Sequence, residues 1–235
     1  MSSYPKWYYD ELRQVGVDYA SMDEVLAYDK HMQRIRNIKG EIKKIISDIN
    51  LSKEQTILEI GTGTGELAIE FSRHCKKVYA IDVSKMMLEF AKEKAKKEKR
   101  DNIEFYQAGF LTYEHRGEAL DAVISQIALH HLPDFWKMIA LRRVYKILKK
   151  GGLFYLKDAV FPSDIEDYNS FFQGVIDKIK KKDKRLSVQT ETHIRDEYST
   201  LDWIMEGLIT KAGFKIVKKS YEKEITAMTY VCSKE

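Results

Sequence analysis

Cysteine is almost absent. Cys75 and Cys232 are the two among 235 residues, far apart and at no metal-ligand spacing, which excludes a disulfide framework and implies a reducing compartment. No apolar run approaches the roughly 18 residues of a membrane span. No initial basic segment leads into an apolar stretch of signal-peptide length, so no membrane span and a cytoplasmic location are expected. Charge of one sign is lacking as well. Forty Lys and Arg face 36 Asp and Glu, a formal net charge of +4, and the basic runs at 92–100 and 178–185 are interrupted by Glu93, Glu98 and Asp183. Such mixing reads as solvated helix faces rather than the clustered footprint of a nucleic-acid binder. Internal repeats and low-complexity tracts are missing too.

What is present fits one globular core, the default at this length and at 44% hydrophobic and 32% charged residues. Residues 1–30 are rich in aromatics and irregular. Ile35, Ile38, Ile45, Ile46 and Ile49 then recur at three- and four-residue spacing and predict an amphipathic helix over 34–49. Apolar strands are expected at 56–60, 77–82, 103–106, 121–125 and 153–157. Helices intervene, among them one capped by Ser84 and one capped by Asp134. Strands apolar on both faces and alternating with helices predict an α/β fold whose parallel sheet is covered on both sides. After Phe161 the pattern changes to a helix over 168–180, a polar stretch, and a helix from Thr200 or Asp202 to Gly213. A hairpin of 214–221 with 225–232 closes the chain.

The chemistry begins at Ile57-Leu58-Glu59-Ile60-Gly61-Thr62-Gly63-Thr64-Gly65, a strand that runs into three alternating glycines before a helix. Glycine is needed there because the turn takes unusual dihedrals and because a side chain would keep a ligand off the backbone. A dinucleotide fingerprint would place its third glycine at position 66, where Glu66 stands. A carboxylate at that point opposes a pyrophosphate, and Glu59 beside the turn can attract an ammonium group. Asp82 closes the next strand, where a carboxylate overhangs the crevice and can accept bonds from both hydroxyls of a ribose. The implied ligand is a nucleoside with a cationic part.

These residues, with the segment Leu120-Asp121-Ala122-Val123-Ile124-Ser125 and the run Leu148-Lys149-Lys150-Gly151-Gly152, resemble the successive motifs of the class I S-adenosylmethionine-dependent methyltransferases. The likeness is closest to the ubiquinone/menaquinone-biosynthesis group. It covers roughly residues 50–160 and, more loosely, 201–232. It implies a Rossmann-like, seven-stranded, mostly parallel sheet with helices on both faces, an antiparallel strand 7 and a helical cap. The corresponding division is an N-terminal cap and helix at 1–45 and a methyltransferase domain at 46–235, with a cap insertion at about 162–200. The cofactor implied is S-adenosylmethionine and the product S-adenosylhomocysteine. Its contacts by this likeness are Glu59, Gly61, Thr62, Gly63 and Gly65 at the turn, and Asp82, Val83 and Met87 around the ribose. Gly109 and Phe110 at the adenine, Ser125 and Gln126 beyond the fourth strand, and Tyr28 from the cap complete the set. One departure stands out: the family often has an acid at the end of its third strand to meet the adenine amino group, and Gly109 has no side chain for that bond.

The fourth strand leads into Ser125-Gln126-Ile127-Ala128-Leu129-His130-His131-Leu132, at the edge where α/β folds place reacting groups. Adjacent histidines do not share a helix face, so at most one of the pair is expected to look into the cleft. His130 and His131 are the candidate catalytic residues, as hydrogen-bond partners or proton acceptors. His130, Asp158, Tyr168 and Phe172 are the candidate substrate contacts, and Tyr28, Asp29, Met32 and Arg36 belong to the expected cover. No histidine lies at zinc-like spacing with cysteine, so no metal is expected. Residues 125–128 lack the Asn/Asp-Pro-Pro-aromatic motif of enzymes that methylate base amino groups, and no cysteine nucleophile stands at this edge, which disfavours base flipping. The expected reaction is in-line methyl transfer to a small molecule by a monomer or homodimer. The alternatives are an acceptor on RNA or protein, and a protein that binds the cofactor without transfer.

Overall fold

A computed structural model describes residues 5–13, 15–16, 37–222 and 226–235. Tyr28, Asp29, Met32 and Arg36 lie outside the described residues. Strands β1 (Thr56–Ile60), β2 (Lys77–Asp82), β3 (Ile103–Gln107), β4 (Leu120–Gln126) and β5 (Leu148–Phe161) alternate with helices α2 (Glu66–Phe71), α3 (Lys85–Lys97) and α4 (Asp134–Ile147), after a first helix α1 (Ile38–Asp48). Then come α5 (Tyr168–Lys182), α6 (Lys184–Asp196), the two-residue β6 (Thr200–Leu201), α7 (Asp202–Lys211), β7 (Phe214–Glu222) and β8 (Ala227–Lys234).

The sheet order is β3-β2-β1-β4-β5-β8-β7, with β6 pairing β5 to the side. From β3 through β5 every pairing is parallel, whereas β8 runs antiparallel to both β5 and β7. The expected Rossmann-like sheet with an antiparallel final strand is therefore present. Strand order reverses between β1 and β4, which opens a crevice at their carboxyl ends.

Neighbouring residues on a strand face opposite layers, as a pleated strand requires. Leu58, Val123 and Phe154 pack with Leu141, Val144, Met205 and Ile209 on one side. Ile57, Ile124 and Tyr155 pack with Ile42, Ile45, Ala68 and Phe71 on the other. Helices on both faces thus bury strands that are apolar on both faces.

Ser84 caps α3 as its sequence predicts, its hydroxyl accepting the N–H of Met87 at 3.3 Å. Asp134 does not cap α4. Pro133 takes that position and Asp134 is the first helical residue, its carboxylate accepting from Lys137 Nζ at 2.7 Å and Thr200 Oγ1 at 3.2 Å. Its carboxylate ties Lys137, one turn on in α4, to Thr200 of β6 and so serves the packing of α4 against β6 rather than a cap. The polar stretch after residue 180 is also different from its reading, because 184–196 is helical. The Asp183 carboxylate accepts from the N–H groups of Arg185 and Leu186 and so starts α6.

Candidate active site at the carboxyl edge of the sheet

The first wall of the crevice is the glycine turn. Gly63 has φ of +53°, which glycine adopts without strain, and a Cβ built there meets nothing within 4 Å. Gly61 and Gly65 are constrained differently: a Cβ would come to 2.6 Å of Ala128 Cβ and 2.8 Å of Ala91 Cβ, respectively. The turn therefore bares its backbone toward open space at Gly63 and packs tightly on either side of it.

Asp82 locks the turn to β2. Its Oδ2 accepts the N–H of Gly63 at 2.8 Å and its Oδ1 accepts the N–H of Ser84 at 2.8 Å. The Val83 N–H adds a third backbone bond to the carboxylate, which still keeps acceptor capacity for a ligand. Burial pushes the Asp82 carboxyl above its ordinary range, against the pull of these backbone donors.

Together they border a cleft that opens to solvent. Of the expected cofactor contacts, Gly61, Gly63, Asp82, Val83, Met87, Gly109, Phe110 and Gln126 line it. Glu59, Thr62, Gly65 and Ser125 do not. Glu59 is buried behind the turn and accepts the Thr62 hydroxyl at 2.7 Å, Gly65 starts α2 against Ala91, and the Ser125 hydroxyl donates to Ile60 O at 3.0 Å. These four shape the turn from behind. Tyr28 falls outside the described residues.

An acid missed in the sequence stands at the β3 end of the cleft. Glu11 is buried and accepts from Leu111 N at 2.9 Å, Thr112 N at 2.7 Å and Thr112 Oγ1 at 2.7 Å. Its Oε2 lies 2.5 Å from where a Cβ on Gly109 would be. The missing side chain of Gly109 thus admits a carboxylate from the N-terminal segment. Burial pushes the Glu11 carboxyl above its ordinary value, and the bonds from Thr112 and Leu111 pull back. Nothing local in the sequence marks Glu11, whose partners lie about a hundred residues away.

The other end is set by β4. Ile127 has φ of +50°, an uncommon conformation for a β-branched residue and one that clusters at functional sites. It swings the chain into a short turn, Leu129–His131, that separates the two histidines. His131 lines the cleft, and His130 is 2% exposed behind it.

His130 is held at both ring nitrogens: Nδ1 meets Asp158 Oδ1 in a short contact, and Nε2 lies 3.2 Å from Glu197 Oε2. Burial alone would lower its pKa, but the two carboxylates outweigh burial and hold it up at about 9. His131 is pushed down to about 4 by burial and by the positive His130. Asp158 and Glu197 sit below their ordinary ranges, burial notwithstanding, because of His130 and, for Glu197, His193 as well.

Asp158 requires a correction. It is fully buried, and its oxygens accept from Leu129 N at 2.7 Å, His130 N at 3.2 Å and Ala159 N at 2.7 Å besides the His130 ring. It anchors the histidine turn and does not face the cleft. Tyr168 and Phe172 are corrected as well: they stack at 6.0 Å, Phe172 meets Phe161 edge-on at 4.9 Å, and neither lines the cleft. Both aromatics seat α5 on the end of β5.

Glu197 was missed. It follows α6 and joins His130 through a separation of 67 residues, although His193 and Glu197, four apart, are a spacing that places two side chains on one helix face.

Comparison with known proteins follows from this geometry. Residues 57–152 match the methyltransferase-domain family. An uncharacterized methyltransferase of Bacillus mycoides is 27% identical over 194 residues, 80% of this chain and 85% of that protein. One from Anoxybacillus flavithermus is 27% identical over 186 residues, 79% and 82% of the two chains. Among solved structures, YcgJ from Bacillus subtilis superposes with a TM-score of 0.61 at 22% identity, over 78% of this chain and 73% of its own. A Haloferax volcanii methyltransferase complexed with its Trm112 activator gives 0.67 at 16% identity, over 90% and 94%. At these identities the structural likeness is one of fold.

Proposed function

We propose that the chain is a class I methyltransferase that moves the methyl group of S-adenosylmethionine to a small-molecule acceptor by in-line displacement, releasing S-adenosylhomocysteine. The observation that carries this reading is the clasp between Asp82 and Gly63, which sets a carboxylate with spare lone pairs beside bare backbone at the mouth of an open cleft. The residues fit this cofactor by the chemistry of their groups. Asp82 suits paired ribose hydroxyls, the Gly61–Gly63 backbone admits the methionine part, and Val83, Met87 and Phe110 offer apolar surface for a base. Glu66 at the start of α2 disfavours a pyrophosphate in the same place.

When bound, the cofactor supplies a methyl group on a cationic sulfur as the electrophile. The chain's own residues orient and enclose. The strained turn at Ile127 sets Gln126 and His131 on the wall that continues from the glycine turn. His131 presents an imidazole edge to an acceptor, while His130 and Asp158 hold that turn from behind. Tyr9 Oη donates to His131 O at 3.2 Å, and Tyr198 N donates to His130 O at 2.9 Å. The N-terminal segment, within 1–45, and the insertion at 162–200 thus both reach the histidine turn. We assign them the role of a cover that limits water and acceptor size, with alignment supplying most of the rate.

Incubation with methyl-labelled S-adenosylmethionine and a size-fractionated cell extract tests the acceptor class. Label in the low-mass fraction is expected. Label in RNA or protein would contradict the small-molecule assignment, and cofactor binding without label in any fraction would contradict transfer.

A further inference from the structure

Two histidines and a carboxylate converge where the sequence shows no metal-ligand motif. One ligand atom each from His130, His131 and Glu197 lie within 4.8 Å of one another. Two donors each about 2.1 Å from a tetrahedral ion sit about 3.4 Å apart, and His130 Nε2 and Glu197 Oε2 are already 3.2 Å apart. The rings of His130 and His131 have centroids 4.3 Å apart, which sets the third donor beside the first two.

The surroundings of these three residues are those of a ligand set. A metal-binding histidine usually gives its other ring nitrogen to a carboxylate, which fixes tautomer and orientation. Here His130 Nδ1 is engaged by Asp158, itself held by three backbone N–H groups. Glu197 is steadied by a short contact from His193 Nδ1. The surroundings therefore set Nε2 of His130 and the carboxylate of Glu197 toward one another, and the third member, His131, lines the cleft.

We propose that His130, His131 and Glu197 form a binding site for one divalent first-row transition-metal ion at the acceptor end of the cleft. Two imidazoles and one carboxylate are a donor set for manganese, iron, cobalt, nickel or zinc rather than for magnesium or calcium. Three protein ligands leave the ion a coordination position toward the cleft that His131 lines. An acceptor with an ionisable oxygen, such as a phenol, an alcohol or a carboxylic acid, binds at that position as its anion, its proton released to solvent. This last step rests on the methyl-transfer reading; the metal site itself does not.

Cobalt chloride alone, titrated into the metal-stripped full chain, is the test. Visible absorption of the bound ion reports histidine ligation, and calorimetry on the same samples reports affinity and stoichiometry. One cobalt per chain is expected, displaced by zinc. His131→Ala and Glu197→Gln should each weaken binding at least tenfold with circular dichroism unchanged, and His74→Ala, on the exposed pair with Glu70, should not. Absence of cobalt binding by the wild-type chain, which needs no variant to fold, overturns the site; so does equal affinity in Glu197→Gln. S-adenosylhomocysteine is titrated without metal in parallel. Nucleoside binding without cobalt binding removes the metal site alone, whereas cobalt binding without nucleoside binding supports it and removes the cofactor reading.

Discussion

Asp82 Oδ2 accepts the backbone N–H of Gly63 at 2.8 Å, so the acid that ends β2 holds the exposed middle of the turn that follows β1. The two residues form one object, and a change in either is felt by the other. What the object does depends on which side of the turn is altered.

Gly63 and Gly65 separate binding from stability. Both have positive φ, so alanine at either costs about 1–2 kcal/mol of backbone strain, but only at Gly65 does the new Cβ strike a neighbour, 2.8 Å from Ala91 Cβ. Gly65→Ala should lose about 2–4 kcal/mol of unfolding free energy once that contact is added. Gly63→Ala should lose about half as much and weaken S-adenosylhomocysteine binding several-fold, because its methyl enters the cleft. Urea denaturation and calorimetry of the two variants check this, and a Gly63→Ala chain with wild-type affinity would contradict it.

Glu11 should give the protein a pH signature. Burial raises its carboxyl above 4.5, so the unfolded chain releases that proton before the folded one does. The associated stability is present below 4.5 and is lost as pH rises through the folded value. Glu11→Gln removes this slope, so the stability difference between wild type and variant should change as pH rises from 4.5 through the folded value and be flat beyond it. Denaturant unfolding across that range measures the difference; a constant gap would show that Glu11 does not titrate in the folded protein as described.

Ile127 is held at φ of +50° by its place at the end of β4, where its N–H donates to Lys157 O at 2.7 Å. Asparagine tolerates that conformation better than a β-branched residue. With 38% of Ile127 exposed, the loss of apolar burial is partial. Ile127→Asn is expected to keep or raise stability, by up to about 1 kcal/mol. A loss of more than 1 kcal/mol by thermal or urea unfolding would mean that Ile127 packing, rather than turn geometry, sets this position.

What was legible in the sequence is what physical chemistry makes local. The glycines at 61, 63 and 65 and Asp82 stand within one βαβ unit, and their spacing encodes the crevice directly. The strands and the final antiparallel hairpin follow from runs of buried apolar residues. Glu11, Glu197 and α6 were not legible for a common reason. Glu11 meets Leu111 and Thr112 across about a hundred residues, and α6 has a single fully buried residue, Ser187, hence no apolar stripe to reveal its period. Tyr168 and Phe172 looked like pocket residues because aromatics serve packing and binding alike, and only the contacts of Phe172 with Phe161 and of the Tyr168 hydroxyl with Pro162 O separate the two. Of the adjacent histidines, the chain pattern required that they diverge, but only the turn after Ile127 decides which one faces the cleft.

The central claim is that a nucleoside with a cationic sulfur lies over the Gly63 backbone with its sugar on Asp82. Calorimetric titration of S-adenosylmethionine into wild type and Asp82→Ala, with circular dichroism to confirm the fold, tests it directly. Binding by wild type and at least a tenfold loss in Asp82→Ala are predicted, about 1.4 kcal/mol or more; equal affinity in the two folded proteins would contradict the account.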